Sequence, residues 1–495
     1  MRYDYLVIGA GASGMTSALV LAKHGYRVAL VEKYPSIGPL LNSFIRGGLR
    51  FDTGFHYSGD FGKGQVLDRF FRYLGLFDSV STVPYNASGY DVFRCRKPEF
   101  EFRFPFGYAA LREKLLATFP GERKAIDTYL QVVAKIKVDT DDSILVFAPP
   151  RDYLQGYDSV SLKAFLDSLT GNSLLKALLS SHCVLYGVAP EHVPLSLHAQ
   201  VVGSYYLSAH GIAGGGESLV AAFKRRLQEA GVEILCGRGV REILAGPAGG
   251  LEGVRLEDGE VLECRGCIST VHPRTLLQLV PQGLFRSVYR KRLTGLKESA
   301  SGLILYAESD TPLELLNGAN LYLSEGPEAF FTPMEGPWWR RPLFVSAARR
   351  VLSDNPPYGF FSICLTAPEF CEEGSSGQSW HGSENYREAK ERAARMLQDQ
   401  IEKLCPELRD RVIYRELSTP QTLKRYTHSP SGSLYGVAHW VGQSNPSTIT
   451  RIPGLFLAGQ AIAGPGLLGV MISAFHACAN VIGHEQLKKD VMRCN

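Results

Sequence analysis

Two periodicities of apolar positions alternate along this chain. Tyr5-Leu6-Val7-Ile8 is a short unbroken apolar run, the pattern of a buried strand. Gly9-Ala10-Gly11-Ala12-Ser13-Gly14 interrupts it as a glycine turn. Met15 to His24 then follows helical spacing, Gly25 ends it, and Arg27 to Glu32 reads as a second strand. The spacing predicts a βαβ unit. From about 60 to 200 the pattern is one of amphipathic helices and loops, as in Tyr108 to Phe119, Ala125 to Ile136 and Ser161 to Leu169. Near 214 the α/β pattern returns. Gly214-Gly215-Gly216 leads into a helix with Leu219, Phe223 and Leu227 on one face, ended by Gly231, before strands Val232 to Leu235 and Val240 to Ile243. Leu251, Val254 and Leu256 precede Asp258-Gly259, and Val261 and Leu262 follow, which predicts a hairpin on a two-residue type I′ turn. Mixed, aromatic-bearing sequence runs from about 285 to 418, and α/β character closes the chain from Gly454 to Gly483.

The 495 residues exceed one compact core, so two domains are expected, the first built from separated pieces. With 45% hydrophobic and 21% charged residues the chain is a globular one. Lys and Arg exceed the acids by 53 to 49 with no long basic run, so no nucleic-acid partner is expected. The 11% aromatic share suits either an apolar ligand cavity or simply a large core. Ten scattered cysteines show no disulfide framework, and Cys264-x-x-Cys267 lacks a second pair, so no metal site is expected. Reduced thiols and a cytoplasmic location follow. Met1-Arg2-Tyr3-Asp4 runs straight into the first strand, leaving no room for a signal peptide. No apolar run reaches the ~20 residues of a membrane span, although peripheral membrane contact stays open.

Gly9-x-Gly11-x-x-Gly14 between strand and helix lets backbone approach a pyrophosphate at a helix N-terminus. Glu32 stands 18 residues beyond Gly14, where a carboxylate hydrogen-bonds ribose hydroxyls and repels a 2′-phosphate. Gly9, Gly11, Ala12, Ser13, Gly14, Glu32 and the adjoining Lys33 are therefore the candidate dinucleotide contacts. This unit alone does not separate FAD from NAD.

The later segments carry a resemblance that does. Gly38, Gly47-Gly48-Leu49-Arg50-Phe51-Asp52-Thr53-Gly54, and Pro453 to Gln460 with Gly464 to Val470 resemble the glutathione-reductase-type flavoproteins. Nearly the whole chain resembles the phytoene desaturase, carotenoid isomerase and retinol saturase group of amine-oxidase-like flavoproteins. The shared stretches include Pro194-Leu195-Ser196, Gly214 to Leu219, and Tyr426-Thr427-x-Ser429-Pro430-x-Gly432-Ser433-x-Tyr435-Gly436. Phe51-Asp52-Thr53-Gly54-Phe55-His56-Tyr57-x-Gly59 is most similar to the retinol saturase branch. Two positions depart from the wider pattern: Gly38-Pro39-Leu40 lacks the usual arginine, and Gln460 replaces an acid. Both weaken an amine-oxidase reading more than the flavin.

The resemblance implies an α/β fold: a glutathione-reductase-type (Rossmann-like) FAD-binding domain from 1–90, 200–285 and 420–495, with an inserted α+β substrate domain from 91–199 and 286–419. It implies non-covalent FAD held also by Gly54, Val240 (adenine, through backbone), Gly459, Gln460, Leu468, Gly469 and Val470. A helix beginning near Leu468 would aim its amides at the flavin. It implies redox chemistry or isomerisation at carbon–carbon double bonds of a hydrophobic polyene or prenyl-type lipid, saturation first, with NAD(P)H or another electron partner left open. His56 and Tyr57 are the candidate catalytic residues. His56 is expected to titrate near neutrality and shuttle a proton, against the plainer role of a histidine hydrogen-bonded beside the cofactor. Tyr205-Tyr206, Trp338-Trp339 and Phe360-Phe361 are candidates for an apolar tunnel or for ordinary core. His439 and His476 flank the C-terminal segment, His476 as a packed residue. The rivals are a flavin amine oxidase and a non-catalytic prenyl-binding escort protein, as in the Rab GDP-dissociation inhibitors.

Overall fold

The computed structural model describes residues 2–145, 155–348, 358–367 and 384–494. The first apolar run forms strand Arg2–Ile8, and the glycine turn enters helix Ala12–Lys23 directly. That helix starts before Met15 because Gly11 has the extended backbone of an N-cap. Val28–Glu32 is buried at every position, as parallel strands covered on both faces are.

These strands lie within a seven-stranded sheet. Its order is Val240–Ala245, Leu251–Leu256, Val261–Ser269, Arg2–Ile8, Val28–Glu32, Glu233–Cys236, and Leu455–Leu457 also pairs with Val261–Ser269. The pairs among Leu455–Leu457, Val261–Ser269, Arg2–Ile8, Val28–Glu32 and Glu233–Cys236 are parallel. Their carboxyl ends therefore share one edge, where Gly9, Glu32 and Gly459 stand. Such an edge is where open α/β sheets take ligands. Helix Ala12–Lys23 packs on helix Gly466–Ile482 through a shared core of Met15, Leu19, Met471 and Phe475. Phe475 in turn stacks on Phe70 at 3.9 Å between ring centroids.

The hairpin after Leu256 differs from expectation. Gly259 N donates to Leu256 O at 3.0 Å and Leu256 N to Glu260 O at 2.9 Å, so Glu257 and Asp258 form the turn and Gly259 (φ +93°) the bulge. A type I′ turn would need Asp258 at positive φ, which it does not adopt. A three-residue loop with glycine in the left-handed position avoids that cost.

A second seven-stranded sheet runs Ile413–Ser418, Ser301–Ser309, Tyr358–Thr366, Leu343–Ala347, Asn320–Ser324, Asp91–Cys95, Phe100–Phe104. It is antiparallel except for the pair Asn320–Ser324 with Asp91–Cys95. All nine residues of Ser301–Ser309 are buried, because both faces of the sheet are covered. Helix Glu384–Leu404 packs on one face through Leu397 and Ile401. Helices Tyr108–Thr118, Arg123–Leu145 and Leu195–Leu207 share the core on the other. The fold is thus a Rossmann-like α/β sheet joined to an α+β unit, the class the sequence implied.

The 214–219 motif has a packing explanation. A methyl at Gly38 would overlap Val220, one at Gly216 the Leu41 carbonyl, and one at Gly215 the buried Asp52 carboxylate. These glycines let segment 38–54 lie against the N-terminus of helix Gly215–Glu229. A carboxylate there also meets the positive end of the helix.

Candidate active site

At the carboxyl edge of the first sheet the glycine turn forms a cradle. Gly9 sits at φ +94°, and a methyl there would lie 2.6 Å from Thr270 Oγ1. A methyl at Gly14 would overlap the Gly9 carbonyl oxygen, so that glycine serves the turn itself. Gly11 is different. A methyl there would meet nothing within 4 Å, so open space lies before the amides that begin helix Ala12–Lys23. Glu32 is buried and fixed: Oε2 accepts from Ala10 N at 2.6 Å and Oε1 from Tyr34 N at 2.9 Å. The carboxylate thus sits at the mouth of the cradle, with lone pairs left for a ribose. Lys33 is exposed and pairs with Glu257 at 3.0 Å. Arg238 N donates to Glu32 O at 3.0 Å, which brings Val240 alongside, where a register shift between Val240 and Glu242 loosens the ladder.

The C-terminal segment closes the same site. Gly459 has φ +111°, and its N–H donates to Ser473 Oγ at 2.7 Å. Ser473 Oγ donates to Val470 O at 2.7 Å and lies 3.4 Å from Ser13 Oγ, so one hydroxyl two turns into the C-terminal helix ties the Gly459 turn to the start of helix Ala12–Lys23. Helix Gly466–Ile482 begins two residues before Leu468, because Pro465 caps it in extended backbone. Gly469 approaches Gly464 where any side chain would overlap its carbonyl. Gln460 lies against Gly436 and its carbonyl accepts from His439 Nε2 at 3.1 Å. His476 is packed in the interior, and burial pushes its pKa down to about 4. The open space before Gly11, the amides of two helix starts and a fixed carboxylate fit a flavin cofactor.

Next to this cradle is a cavity of about 110 Å³. Gly54, His56 and Tyr57 line it from one segment, Leu468 and Gly469 from the C-terminal helix, and Gln200, Val201 and Tyr205 from helix Leu195–Leu207. Phe344, Ile363 and Tyr435 complete much of the rest. No Asp, Glu, Lys or Arg is among the described lining residues.

His56 contradicts one expectation. Its ring lies 4.0 Å from Phe361, and desolvation by the surrounding protein holds its pKa down to about 3, far below neutrality. It is a neutral imidazole at pH 7 and no resident acid. Tyr57 presents its ring to the cavity and its hydroxyl to a buried polar cluster. The hydroxyl donates to Asp91 Oδ2 at 3.0 Å, so the 2.8 Å bond with Tyr322 is donated by Tyr322. Asp91 Oδ2 also accepts from His182 Nε2 at 2.9 Å, and Oδ1 from Asn320 Nδ2 at 2.8 Å. Burial and the Asp91 charge push the Tyr57 pKa well above the ordinary 10.

The structure therefore gathers Gly54, His56, Tyr57, Leu468 and Gly469 around one cavity, and Gly9 to Gly14, Glu32 and Gly459 around the adjoining cradle. Lys33 turns its side chain away. Of the aromatic pairs, only Tyr205 lines this cavity, and Phe361 backs His56. Tyr206 belongs to a buried cluster with Tyr129, Phe360 packs under helix Glu384–Leu404, and the Trp338-Trp339 pair lies outside this cavity's lining. Thr270, Ser473, Asp91, His182 and the cavity face of helix Leu195–Leu207 are absent from the sequence-derived set. Only the helix left a signal, in the spacing of Leu197, Gln200, Val201 and Ser204.

Known proteins are similar to this chain along nearly its whole length. All-trans-retinol 13,14-reductase of Homo sapiens is 27% identical over 99% of this chain and 87% of that protein. Prolycopene isomerase 2, chloroplastic, of an Oncidium hybrid cultivar is 25% identical over 98% and 85%. An oxidoreductase from Methanosarcina mazei has the same fold, with a TM-score of 0.67 at 18% identity over 97% of this chain and 100% of that one. The family model described as flavin containing amine oxidoreductase matches residues 12–482, nearly the whole chain. The chain belongs to that family and is a flavin-dependent oxidoreductase.

Proposed function

We propose that the chain uses non-covalently bound FAD to act on carbon–carbon double bonds of a hydrophobic polyene or prenyl-type lipid, with saturation ahead of desaturation and isomerisation. The observation that carries this is the cavity beside the cradle, walled by aromatic, aliphatic and neutral polar side chains without a charged one among those described. An amine substrate enters as a cation, and burying it without a carboxylate is costly. A polyene needs no counter-charge. The names of the relatives, a retinol reductase and a prolycopene isomerase, support the same substrate class.

FAD fits because Glu32 offers ribose contacts and the two helix starts offer amides to a pyrophosphate. Bound there, the flavin supplies hydride chemistry next to the cavity. The proposed contacts are those set out above, with Val240 lending backbone to the adenine. The division into an FAD domain (1–90, 200–285, 420–495) and a substrate domain (91–199, 286–419) belongs to the same proposal. Tyr57 acts as a held wall whose hydroxyl stays protonated. His56 acts as a neutral hydrogen-bonding group, since its ring makes no hydrogen bond to a described residue. No helix among the described residues is long and apolar enough to cross a membrane. Leu40 and Ile45, 40% and 52% exposed, precede Gly54 in sequence and offer an apolar edge for peripheral lipid contact.

Acid precipitation of the purified protein should leave a yellow supernatant whose chromophore co-elutes with FAD. Incubation with all-trans-retinol or a prolycopene-type polyene, anaerobically with dithionite as the two-electron donor and in parallel aerobically with oxidised flavin, should then alter the polyene spectrum, while primary amines are left unchanged. Colour retained in the pellet would overturn non-covalent binding, and oxidation of amines with inert polyenes would overturn the substrate class.

A further inference from the structure

Helix Leu195–Leu207 presents Leu197, Gln200, Val201 and Ser204 to the cavity, the spacing of a single helical face. Leu197 reaches across towards the C-terminal segment, since a methyl on Gly464 would meet it at 3.5 Å. The face thus confronts the segment that forms the flavin side, and what lies between them meets both.

Most polar groups of the cavity are already committed. Ser204 Oγ donates to Val201 O at 2.6 Å and Tyr57 to Asp91 at 3.0 Å. Tyr205 OH donates to Tyr57 O at 3.4 Å and Tyr435 OH to Val184 O at 3.3 Å. Gln200 is the exception on this helix face: its amide lines the cavity and makes no hydrogen bond to any described residue. An amide carries two N–H donors and an oxygen acceptor, all without charge. In a largely apolar cavity, one such group fixes the orientation of a ligand and its identity. Its neutrality also selects the partner chemistry. A carboxylate or ammonium would be buried here without a counter-charge, whereas an alcohol or carbonyl meets the amide as an equal.

We propose that Gln200 is a specificity-determining residue that hydrogen-bonds a neutral oxygen function, alcohol or carbonyl, on the polyene. This rests on the substrate class proposed above. The enzyme then favours oxygen-bearing polyenes over hydrocarbons of the same skeleton, because the hydrocarbon leaves the amide unpaired in a closed site.

The test compares wild type, Gln200→Leu and Gln200→Met on all-trans-retinol and on its analogue with a methyl group in place of the hydroxymethyl, without oxygen and with dithionite supplying the two electrons of each saturation. Flavin content is measured in each. With full flavin, the variants should raise KM for the alcohol about ten- to a hundredfold, with kcat near wild type. KM for the hydrocarbon should stay the same. Equal effects on both polyenes, or none, would overturn the Gln200 assignment while leaving the polyene reading intact. If wild type binds and converts neither compound, the reading and this inference fall together. Gln200→Met, unbranched and flexible, decides the matter if the leucine variant folds poorly.

Discussion

At Glu32 one carboxylate holds two backbone amides and faces the glycine cradle. Glu32→Ala should therefore weaken FAD retention roughly ten- to a hundredfold, the equivalent of about 1–3 kcal/mol, because ribose hydroxyls and the Ala10 amide both lose their acceptor. Equilibrium dialysis of the apo-protein with FAD checks this, and an unchanged Kd would assign the ribose to another group. His56 leads to a second prediction. A pKa near 3 keeps it neutral from pH 5 to 8, so activity in that range should show no inflection belonging to it. His56→Gln, a neutral hydrogen-bonding side chain, should keep more activity than His56→Leu. A pH profile of wild type with a step near 6.5 that vanishes in His56→Gln would contradict this. The neutral state was not legible in the sequence. Burial depends on Phe361, more than three hundred positions away, and the residue type alone carries only its solution pKa.

Among the elements, the strand-turn-helix units at the two chain ends were the most legible, because their chemistry is local. A glycine between strand and helix has few alternatives. The two helices start two or three residues earlier than the sequence predicts, where Gly11 and Pro465 act as caps without a capping side chain. The hairpin turn differs from the type I′ turn that Asp258-Gly259 predicts because Gly259 alone takes positive φ. The cavity face of helix Leu195–Leu207 shows a helical spacing in the sequence, but not what it faces, because its partners Tyr57 and Leu468 are distant in sequence. The glycine turn itself separates folding from binding. Gly14→Ala forces a methyl onto the Gly9 carbonyl and should lower Tm by several degrees. Gly11→Ala finds open space, so stability should hold within about 0.5 kcal/mol while the flavin-to-protein ratio falls. Calorimetry and the visible spectrum on the same samples read both. Full flavin occupancy in Gly11→Ala would mean that the space before the first helix is not the pyrophosphate site.

For the molecule as a whole, buried histidines set the acid limit. His56 and His198 are held down to about 3, and His272 and His476 to about 4, all chiefly by desolvation. Each folded pKa lies below the ordinary 6.5, so the unfolded chain binds more protons between those values. The stability they contribute is present above pH 6.5 and is lost as pH falls towards 4 and 3. Asp141, raised to about 6 by burial, opposes this, since its effect favours the folded state as pH falls through 6. Four groups against one predict a Tm that falls from pH 6.5 to 4, and a flat Tm across that range would contradict the burial of these rings. The central claim, that an uncharged cavity beside a flavin cradle serves double bonds, has a more direct test. The bound flavin is reduced photochemically without oxygen and mixed with all-trans-retinol in a stopped-flow cell. Flavin re-oxidation in step with the shortening of the polyene chromophore is the predicted result; reduced flavin that ignores the polyene, together with oxidised flavin that a primary amine bleaches, would contradict it.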